Sequence, residues 1–250
     1  MLRESFIHVP GIGRTTERSL WKQGCPNWDA YLAAGGRFST GHADRKSVIA
    51  FLERSNRALR DFEHQFFARH LGLREAWRAY GDFKHLCAYL DIETDGASIT
   101  AIGLFDGSNF TCLLKGDNLE NFRDLISKYS LIVTFCGGTF DLPMLKRHFS
   151  GVLLDQIHID LHPLLRKLGF RGGLKKIEKE FGIARPPDLD GLSGFDAVIL
   201  WRRFAGLGDE AARERLVAYN REDCVNLEKL TAIAYSRLKS ETLGSPSECD

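Results

Sequence analysis

The chain has 250 residues, of which 44% are hydrophobic and 27% are charged, and this composition is typical of a soluble globular protein. Its formal net charge is +1, so no overall basic excess indicates a nucleic-acid partner. The charge is uneven, because residues 1–80 carry 13 Lys and Arg against 8 Asp and Glu, whereas residues 81–250 carry 21 against 25. A basic first part is compatible with a phosphate-binding arm beside a cation-binding region, and it is also compatible with chance.

The cysteines give no sign of a zinc site. The six of them are scattered, at Cys25, Cys87, Cys112, Cys136, Cys224 and Cys249. No pair has the C-x-x-C spacing, and we therefore expect reduced thiols without zinc. The first residues contain no apolar core of the length found in signal peptides, and no apolar run approaches the length of a membrane span. We therefore expect a cytoplasmic protein with no membrane partner.

Residues 1–80 are expected to form a helical N-terminal region. Within them, HVPGIGRTTERSL resembles the turn of a helix-hairpin-helix motif, in which backbone amides contact a nucleic-acid phosphate. Gly11, Gly13 and Arg14 are the candidate phosphate contacts. A Pro-Gly turn before a capped helix explains the same residues without a ligand.

Apolar residues recur at helical spacing through residues 44–80, with basic and acidic residues between them. The basic residues that would form a basic helix face on this stretch are Arg45, Lys46, Arg54, Arg57 and Arg60. Solvated charge on a long helix is the alternative interpretation.

From residue 81 the pattern changes to that of an α/β domain, which we expect to extend to residue 238 before a tail at 239–250. Three strand-like runs separated by turn residues predict an antiparallel meander. Their approximate ranges are 85–93, 98–106 and 109–116. Helical stretches then alternate with two further strands, LIVTF and QIHIDL, which completes a mixed five-stranded sheet with flanking helices.

Two carboxylates interrupt the first of these strands. In LCAYLDIET, Asp91 and Glu93 lie on one face with Cys87 and Tyr89, because alternate side chains of a strand point the same way, about 6.6 Å apart. Two like charges this close repel each other unless a cation lies between them, and Mg²⁺ and Mn²⁺ prefer such oxygen ligands. The alternative is a strand end that runs into a turn, with both acids solvated.

Two later segments add to this pattern. Asp141 follows an apolar strand and a Gly pair, in the first turns of a predicted helix, where the helix dipole alone would favour an acid. Tyr219 and Asp223 stand four residues apart in the helical stretch AYNREDCVNLEKL, so they share one face. An amphipathic helix with a half-buried Tyr and a solvated Asp would also explain this spacing. The joint occurrence of the three segments favours a shared site.

Asp91-x-Glu93 on a first strand, Asp141 at a strand–helix junction and Tyr219-x-x-x-Asp223 on a late helix resemble the DEDD exonuclease superfamily, which is DnaQ-like with a ribonuclease-H-like fold. The resemblance is to the Tyr-containing branch (DEDDy), because position 218 holds Ala where the His-containing branch would need His. The segments FCGGTFDLPML, HIDLHPLLRK and GGLKKIEKEFGI are similar to YprB-type ribonuclease-H-like proteins. The resemblance covers roughly residues 84–235.

What the resemblance implies is a metal-dependent 3′–5′ exonuclease that hydrolyses phosphodiester bonds with two divalent cations, Mg²⁺ or Mn²⁺. Asp91 would bridge both cations. Glu93 and Asp223 would hold the cation that activates water, and Asp141 would support the second. Tyr219 would orient the attacking water. The substrate would be single-stranded DNA or RNA, or frayed ends.

Other candidate residues surround this set. Relatives often have Asn before the Gly pair, where this chain has Cys136, and the departure concerns substrate contacts rather than metal ligands. His158 and Asp160 share a strand face and would approach the site or, as the simpler alternative, organise packing around the next helix. Lys175 and Lys176 follow a Gly pair and would contact phosphate, although surface lysines on an amphipathic helix are the commoner explanation.

Two other functions stay open. One is a nucleic-acid-binding adaptor that keeps the fold with little activity. The other is a structure-selective endonuclease, because a two-metal centre does not itself require a chain end. The intact set of four acids and one tyrosine argues against the adaptor.

Overall fold

The computed structural model describes residues 1–244. The chain divides into two compact units. The first comprises residues 1–84 with 155–158, and the second comprises residues 85–154 with the chain from residue 159 onward. Within the described residues, no helix has both the length and the apolar character needed to cross a membrane.

The first unit is helical and packs around aromatic side chains. Its helices are α1 (Arg14–Lys22), α2 (Trp28–Ala33), α3 (Arg45–Arg60), α4 (His64–His70) and α5 (Tyr80–Phe83). Trp28 and Phe67 are fully buried and stack with 6.4 Å between their ring centroids. His8 lies against Trp28 and contacts the Ser55 hydroxyl at 3.0 Å. Burial lowers the pKa of His8 to about 3, so this imidazole is a neutral member of the core.

The helical periodicity over residues 44–80 belongs to separate helices. Helix α3 ends at Arg60, and Phe62 then adopts a left-handed backbone with φ of 52°. The N–H of Glu63 donates to the carbonyl oxygen of Ala58 at 2.8 Å, which closes the helix in the way an αL residue commonly does. The apolar spacing continues past this break because α4 packs Phe66 against Phe51 of α3, with ring centroids 5.4 Å apart.

The chain contains the predicted mixed five-stranded sheet, and all of its residues except Ile157 and His158 belong to the second unit. Its strands are β1 (Cys87–Thr94), β2 (Ile99–Phe105), β3 (Phe110–Leu114), β4 (Leu131–Thr134) and β5 (Ile157–Asp160). The spatial order is β3-β2-β1-β4-β5. The antiparallel pairing of β1 with β2 and of β2 with β3 confirms the predicted meander, and the parallel pairing of β1 with β4 makes the sheet mixed. Strand β1 therefore lies at the centre of the sheet.

Helices cover the sheet. They are α6 (Phe122–Ile126), α7 (Asp141–His148), α8 (Leu161–Lys167), α9 (Leu174–Glu180), α10 (Gly194–Leu207) and α11 (Glu210–Leu243). Ala88, Leu90 and Ile92 of β1 belong to a buried cluster that also contains Leu145 of α7 and Phe149. The opposite face of β1 meets α11, which contacts β1 and β2. The predicted alternation along β1 thus separates an apolar face from the face that carries Asp91 and Glu93.

Helix α11 is the longest helix of the described chain, with 34 residues, and the side chain of Asp209 caps its N-terminus. It ends at Leu243, so the first five residues of the expected tail at 239–250 are helical. The last six residues of that tail lie outside the described part of the chain.

Candidate functional site

Three carboxylates meet where β1 faces α11. One oxygen each of Asp91, Glu93 and Asp223 lies within 4.8 Å of the other two. Glu93 and Asp223 are 7% and 6% exposed, and Asp91 is half-buried. The strand alternation supplies the first two acids and the helix supplies the third, so residues 130 positions apart in sequence form one acidic group, the carboxylate centre.

The electrostatics of the carboxylate centre are those of crowded, desolvated acids. Burial, together with repulsion from the neighbouring Asp223, raises the pKa of Glu93 to about 8. Burial also raises the pKa of Asp91 well above its usual range, with repulsion from Asp223 and Glu93 adding to the effect. Taking two or more carboxylates out of water is costly unless a cation compensates them.

Asp141 lies beside the carboxylate centre but outside the group of three. It opens α7, as predicted, and its Oδ1 accepts a hydrogen bond from the backbone N–H of Ile92 at 3.2 Å. Ile92 stands between Asp91 and Glu93 in the chain, so this bond ties the start of α7 to the strand that carries both acids. Burial raises the pKa of Asp141 to about 7.

Asn220 holds Asp91 in place. Its Nδ2 donates to Asp91 Oδ2 at 2.9 Å and to the Asp91 carbonyl oxygen at 3.3 Å. Gly103 pairs with Asp91 across the β1–β2 ladder, and a Cβ at Gly103 would lie 2.0 Å from Asn220 Oδ1. The missing side chain at Gly103 is therefore what lets the α11 amide reach β1. Sequence reasoning missed both residues, although a glycine inside a strand is a signal for close approach of another element.

Tyr219 and Lys175 form a hydrogen-bonded pair at the edge of the carboxylate centre. Lys175 Nζ donates to Tyr219 Oη at 2.8 Å and to the carbonyl oxygen of Leu192. The ammonium also lies 4.4 Å from the centroid of the Tyr219 ring. Burial raises the pKa of Tyr219 far above its usual value, and Asp223 and Glu93 raise it further, so the phenol keeps its proton. Desolvation lowers the pKa of Lys175.

Arg185 is a further cation at the carboxylate centre, and sequence reasoning did not find it. Its side chain is 3% exposed and donates to both oxygens of Glu178, at 2.7 and 2.6 Å, and to Oδ1 of Asp223. Asn226 of α11 donates to Glu178 at 3.1 Å. No periodic pattern marks Arg185, because it lies in the connection between α9 and α10.

Asp160 organises the loop that precedes Asp141. Its carboxylate accepts hydrogen bonds from the N–H groups of Cys136 at 2.9 Å and Gly138 at 3.1 Å, and it caps α8 through the N–H of His162 at 3.1 Å. Neither Asp160 nor His158 belongs to the three acids of the carboxylate centre. Asp160 thus matches the simpler alternative given for His158 and Asp160, in which the pair organises packing around the next helix.

Cys136 has a left-handed backbone, with φ of 62°. Asn is among the non-glycine residues that tolerate this conformation best, which gives a backbone reason for the Asn that the sequence resemblance predicts at this position. The N–H of Cys136 donates to the Asp160 carboxylate, which ties this residue to the start of α8. Gly137 follows, and a Cβ there would lie 2.2 Å from the hydroxyl oxygen of Thr134.

The candidate phosphate contacts of the first unit lie in the turn before α1 and at its start. Gly11 occupies a turn with φ of 82°, and Gly13 is the N-cap of α1. Arg14 pairs with Glu75, with 2.8 Å between Nε and Oε1, and this pair belongs to the first unit. Lys176 is exposed and lies 4.0 Å from Glu180, whereas its neighbour Lys175 reaches the carboxylate centre through Tyr219.

The basic face predicted for the first unit contains several engaged side chains. Arg54 pairs with Glu63, and Arg45 donates to the carbonyl oxygen of Gly35. Arg60 lies 3.6 Å from Asp61. The face therefore stays a prediction, with part of its charge used within the unit.

Comparison with known proteins places the second unit in a family. A family model described as the RNase_H superfamily matches residues 88–235. The match agrees with the expected ribonuclease-H-like fold, and it does not distinguish the Tyr-containing branch or the YprB type, which stay predictions. No curated protein and no solved structure gives a significant match.

Proposed function

The chain belongs to the RNase_H superfamily, and from this premise we propose that it is a metal-dependent nuclease that removes nucleotides from the 3′ end of single-stranded DNA or RNA, or of frayed ends. The observation that carries the proposal is the convergence of Asp91, Glu93 and Asp223 within 4.8 Å. The 3′–5′ direction comes from the sequence resemblance to DEDD exonucleases and not from this geometry.

The donor set of the carboxylate centre fits hard divalent cations. Each of the three acids offers oxygen, which Mg²⁺ and Mn²⁺ prefer. The raised pKa of Glu93 reflects desolvation and repulsion, whose cost a bound cation would offset. Asp91, Glu93 and Asp223 would hold the cations, with Asp141 in support. Two such cations supply electrostatic stabilisation of the attacking and leaving oxygens of a phosphoryl displacement.

Tyr219 is suited to orient a water molecule and not to act as a base. Its pKa lies far above neutrality, so it keeps the phenolic proton. Because Lys175 donates to the hydroxyl oxygen at 2.8 Å, that oxygen already accepts one hydrogen bond and its own proton points elsewhere. In the proposed reaction the phenolic O–H donates a hydrogen bond to the oxygen of the attacking water and keeps its proton.

Asn220 and Arg185 position the acids that would bind the metal. The Asn220 amide fixes Oδ2 of Asp91, and the Arg185 guanidinium fixes Oδ1 of Asp223. Removing a group that orients a metal-binding side chain in this way commonly lowers metal affinity or activity.

The test is cleavage of 5′-labelled single-stranded DNA and RNA by the full chain in Mn²⁺, Mg²⁺ or EDTA. We expect a metal-dependent ladder that shortens from the 3′ end, and the preferred strand identifies the substrate. The same strands with a blocked 3′ end, such as a 3′-phosphorothioate linkage, are expected to resist cleavage.

The other outcomes separate the rival functions. Internal cuts in a circular single strand would favour a structure-selective endonuclease over an exonuclease. Binding without cleavage in every metal would favour a nucleic-acid-binding adaptor with a ribonuclease-H-like fold.

A further inference from the structure

A cavity of about 250 Å³ lies beside the carboxylate centre, between α9 and the chain that follows it. Its wall contains three cationic side chains, Lys175, Lys179 and Arg185, and two acids, Glu178 and Asp190. Residues 182–184, which are Gly, Ile and Ala, complete the wall. Lys175 also contacts Tyr219, and Arg185 also contacts Asp223. These two side chains therefore connect the cavity to the candidate active site.

Both acids of the cavity wall are already engaged. Glu178 accepts two hydrogen bonds from Arg185 and one from Asn226. Asp190 lies 3.0 Å from the ammonium of Lys179. The cation left over is Lys175, whose hydrogen bonds go to the neutral oxygens of Tyr219 and Leu192.

Arg185 has hydrogen-bonding capacity left. Its Nε and Nη2 serve Glu178 and Asp223. Its Nη1 is buried, and none of residues 1–244 accepts a hydrogen bond from it. A buried guanidinium N–H without an acceptor is costly, and in native proteins such a group usually meets a partner.

We infer that this cavity is a subsite for one backbone phosphate of the nucleic-acid strand, next to the phosphate that is cleaved. The inference rests on the proposed function. Phosphate oxygens would accept from Nη1 of Arg185 and from the ammonium of Lys175, and charge-assisted bonds of this kind are the strong ones. A strand held there has its backbone fixed on one side of the carboxylate centre, while Tyr219 stays paired with the same Lys175.

The test replaces single phosphates by neutral methylphosphonates in a 5′-fluorescent oligonucleotide, one position at a time from the 3′ end. Binding to the full chain is followed by fluorescence anisotropy in EDTA, so that no strand is cut. We expect one position near the 3′ end to weaken binding about tenfold, the loss of one charge-assisted hydrogen bond. In Lys175→Gln the same replacement is expected to have a smaller effect, because the phosphate has already lost one of its two cations.

Two more variants complete the experiment. In Arg185→Lys the effect at that position is expected to shrink, since one ammonium cannot replace a guanidinium that serves two acids and a phosphate. Lys128→Gln removes one exposed charge outside the cavity wall and is expected to leave the positional effect unchanged. Thermal unfolding of each variant shows whether it is folded.

An equal effect at every position, the same positional effect in Lys175→Gln as in the natural chain, or no strand binding would each overturn the subsite. The proposed function is judged separately, by cleavage in Mn²⁺. If the chain cleaves the strand but Lys175→Gln leaves the positional effect unchanged, the protein is a nuclease without this subsite. If Lys175→Gln reduces the positional effect but the chain does not cleave, the subsite is supported and the nuclease function is contradicted.

Discussion

The ammonium of Lys175 donates a hydrogen bond to the hydroxyl oxygen of Tyr219, with 2.8 Å between Nζ and Oη. The two residues come from different helices, α9 and α11, and the lysine lies over the tyrosine ring as well. This pairing sets the direction of the phenolic proton, because the oxygen accepts from one side and must donate from another.

Tyr219→Phe is expected to slow cleavage at least tenfold while leaving Mn²⁺ affinity within about twofold, since in the proposed function the phenol orients water and does not bind the cation. Single-turnover cleavage at saturating Mn²⁺ and calorimetric Mn²⁺ titration separate the two effects. Tyr129→Phe, at a half-buried tyrosine packed against the sheet core, is the control. An unchanged cleavage rate in Tyr219→Phe would show that Tyr219 does not orient the attacking water.

In EDTA the free energy of unfolding is expected to fall as the pH rises from 6.5 to 8. The pKa of Glu93 is about 8 in the folded chain against 4.5 in the unfolded one, so the folded chain binds more protons in this window and loses stability as they leave. The expected loss is roughly 1–2 kcal/mol. His8 acts in the opposite direction only below its ordinary pKa of 6.5, because its pKa in the folded chain is about 3.

The measurement is urea unfolding at the two pH values. Saturating Mn²⁺ is expected to reduce or reverse the pH slope. Glu93→Gln is expected to reduce it without removing it, because Asp141, with a pKa of about 7, also loses its proton in this window. Glu214→Gln, at an exposed position of the helix that carries Asp223, is expected to keep the slope of the natural chain. A stability that is flat or rises between pH 6.5 and 8 would contradict the described electrostatics.

Gly103→Ala is expected to destabilise the chain by about 1–3 kcal/mol, because the new Cβ would overlap the Asn220 side chain and approach Cys224 Sγ within 2.7 Å. Since Asn220 holds Asp91, cleavage is expected to weaken more than stability alone explains. Gly206→Ala is the matched control, because no atom lies within 4 Å of a Cβ there and alanine favours its helix. Equal stability of the two variants would show that the close approach at Gly103 is not needed.

Arg185→Met is expected to cost about 3–5 kcal/mol, because it leaves Glu178 buried without its guanidinium. The double variant Arg185→Met with Glu178→Met is expected to lose less than the sum of the two single variants, as coupled partners do. Arg203→Met breaks an exposed pair with Asp209 and is expected to cost at most about 1 kcal/mol. Urea unfolding measures all four variants, and strict additivity would contradict the described network.

The sequence predicted those parts of the site whose geometry follows from local periodicity. The alternation of β1 placed Asp91 and Glu93 on one face, and the four-residue spacing placed Tyr219 and Asp223 on one helix face. Asp141 was found from its place after an apolar strand and a Gly pair, in the first turns of a predicted helix. In each case the relevant geometry is set within a few residues of the chain.

The parts that were missed depend on contacts between distant elements. Arg185 reaches Asp223 across 38 positions from an irregular connection, and no spacing rule describes such a reach. Asn220 meets Asp91 across 129 positions. The division of the helical pattern near Phe62 was missed for a related reason, since a left-handed Phe has no sequence signal of the kind that glycine gives.

In the proposed function Asp91, with Glu93 and Asp223, holds the divalent cations that promote hydrolysis of a phosphodiester bond. The most direct test compares the natural chain with Asp91→Ala in Mn²⁺, on the same 5′-labelled strand, with thermal unfolding in EDTA as the check on folding. We predict that Asp91→Ala abolishes cleavage and unfolds at the same temperature or higher, because one of three repelling carboxylates is gone. Near-normal cleavage by folded Asp91→Ala would contradict the role of Asp91 in holding the divalent cations.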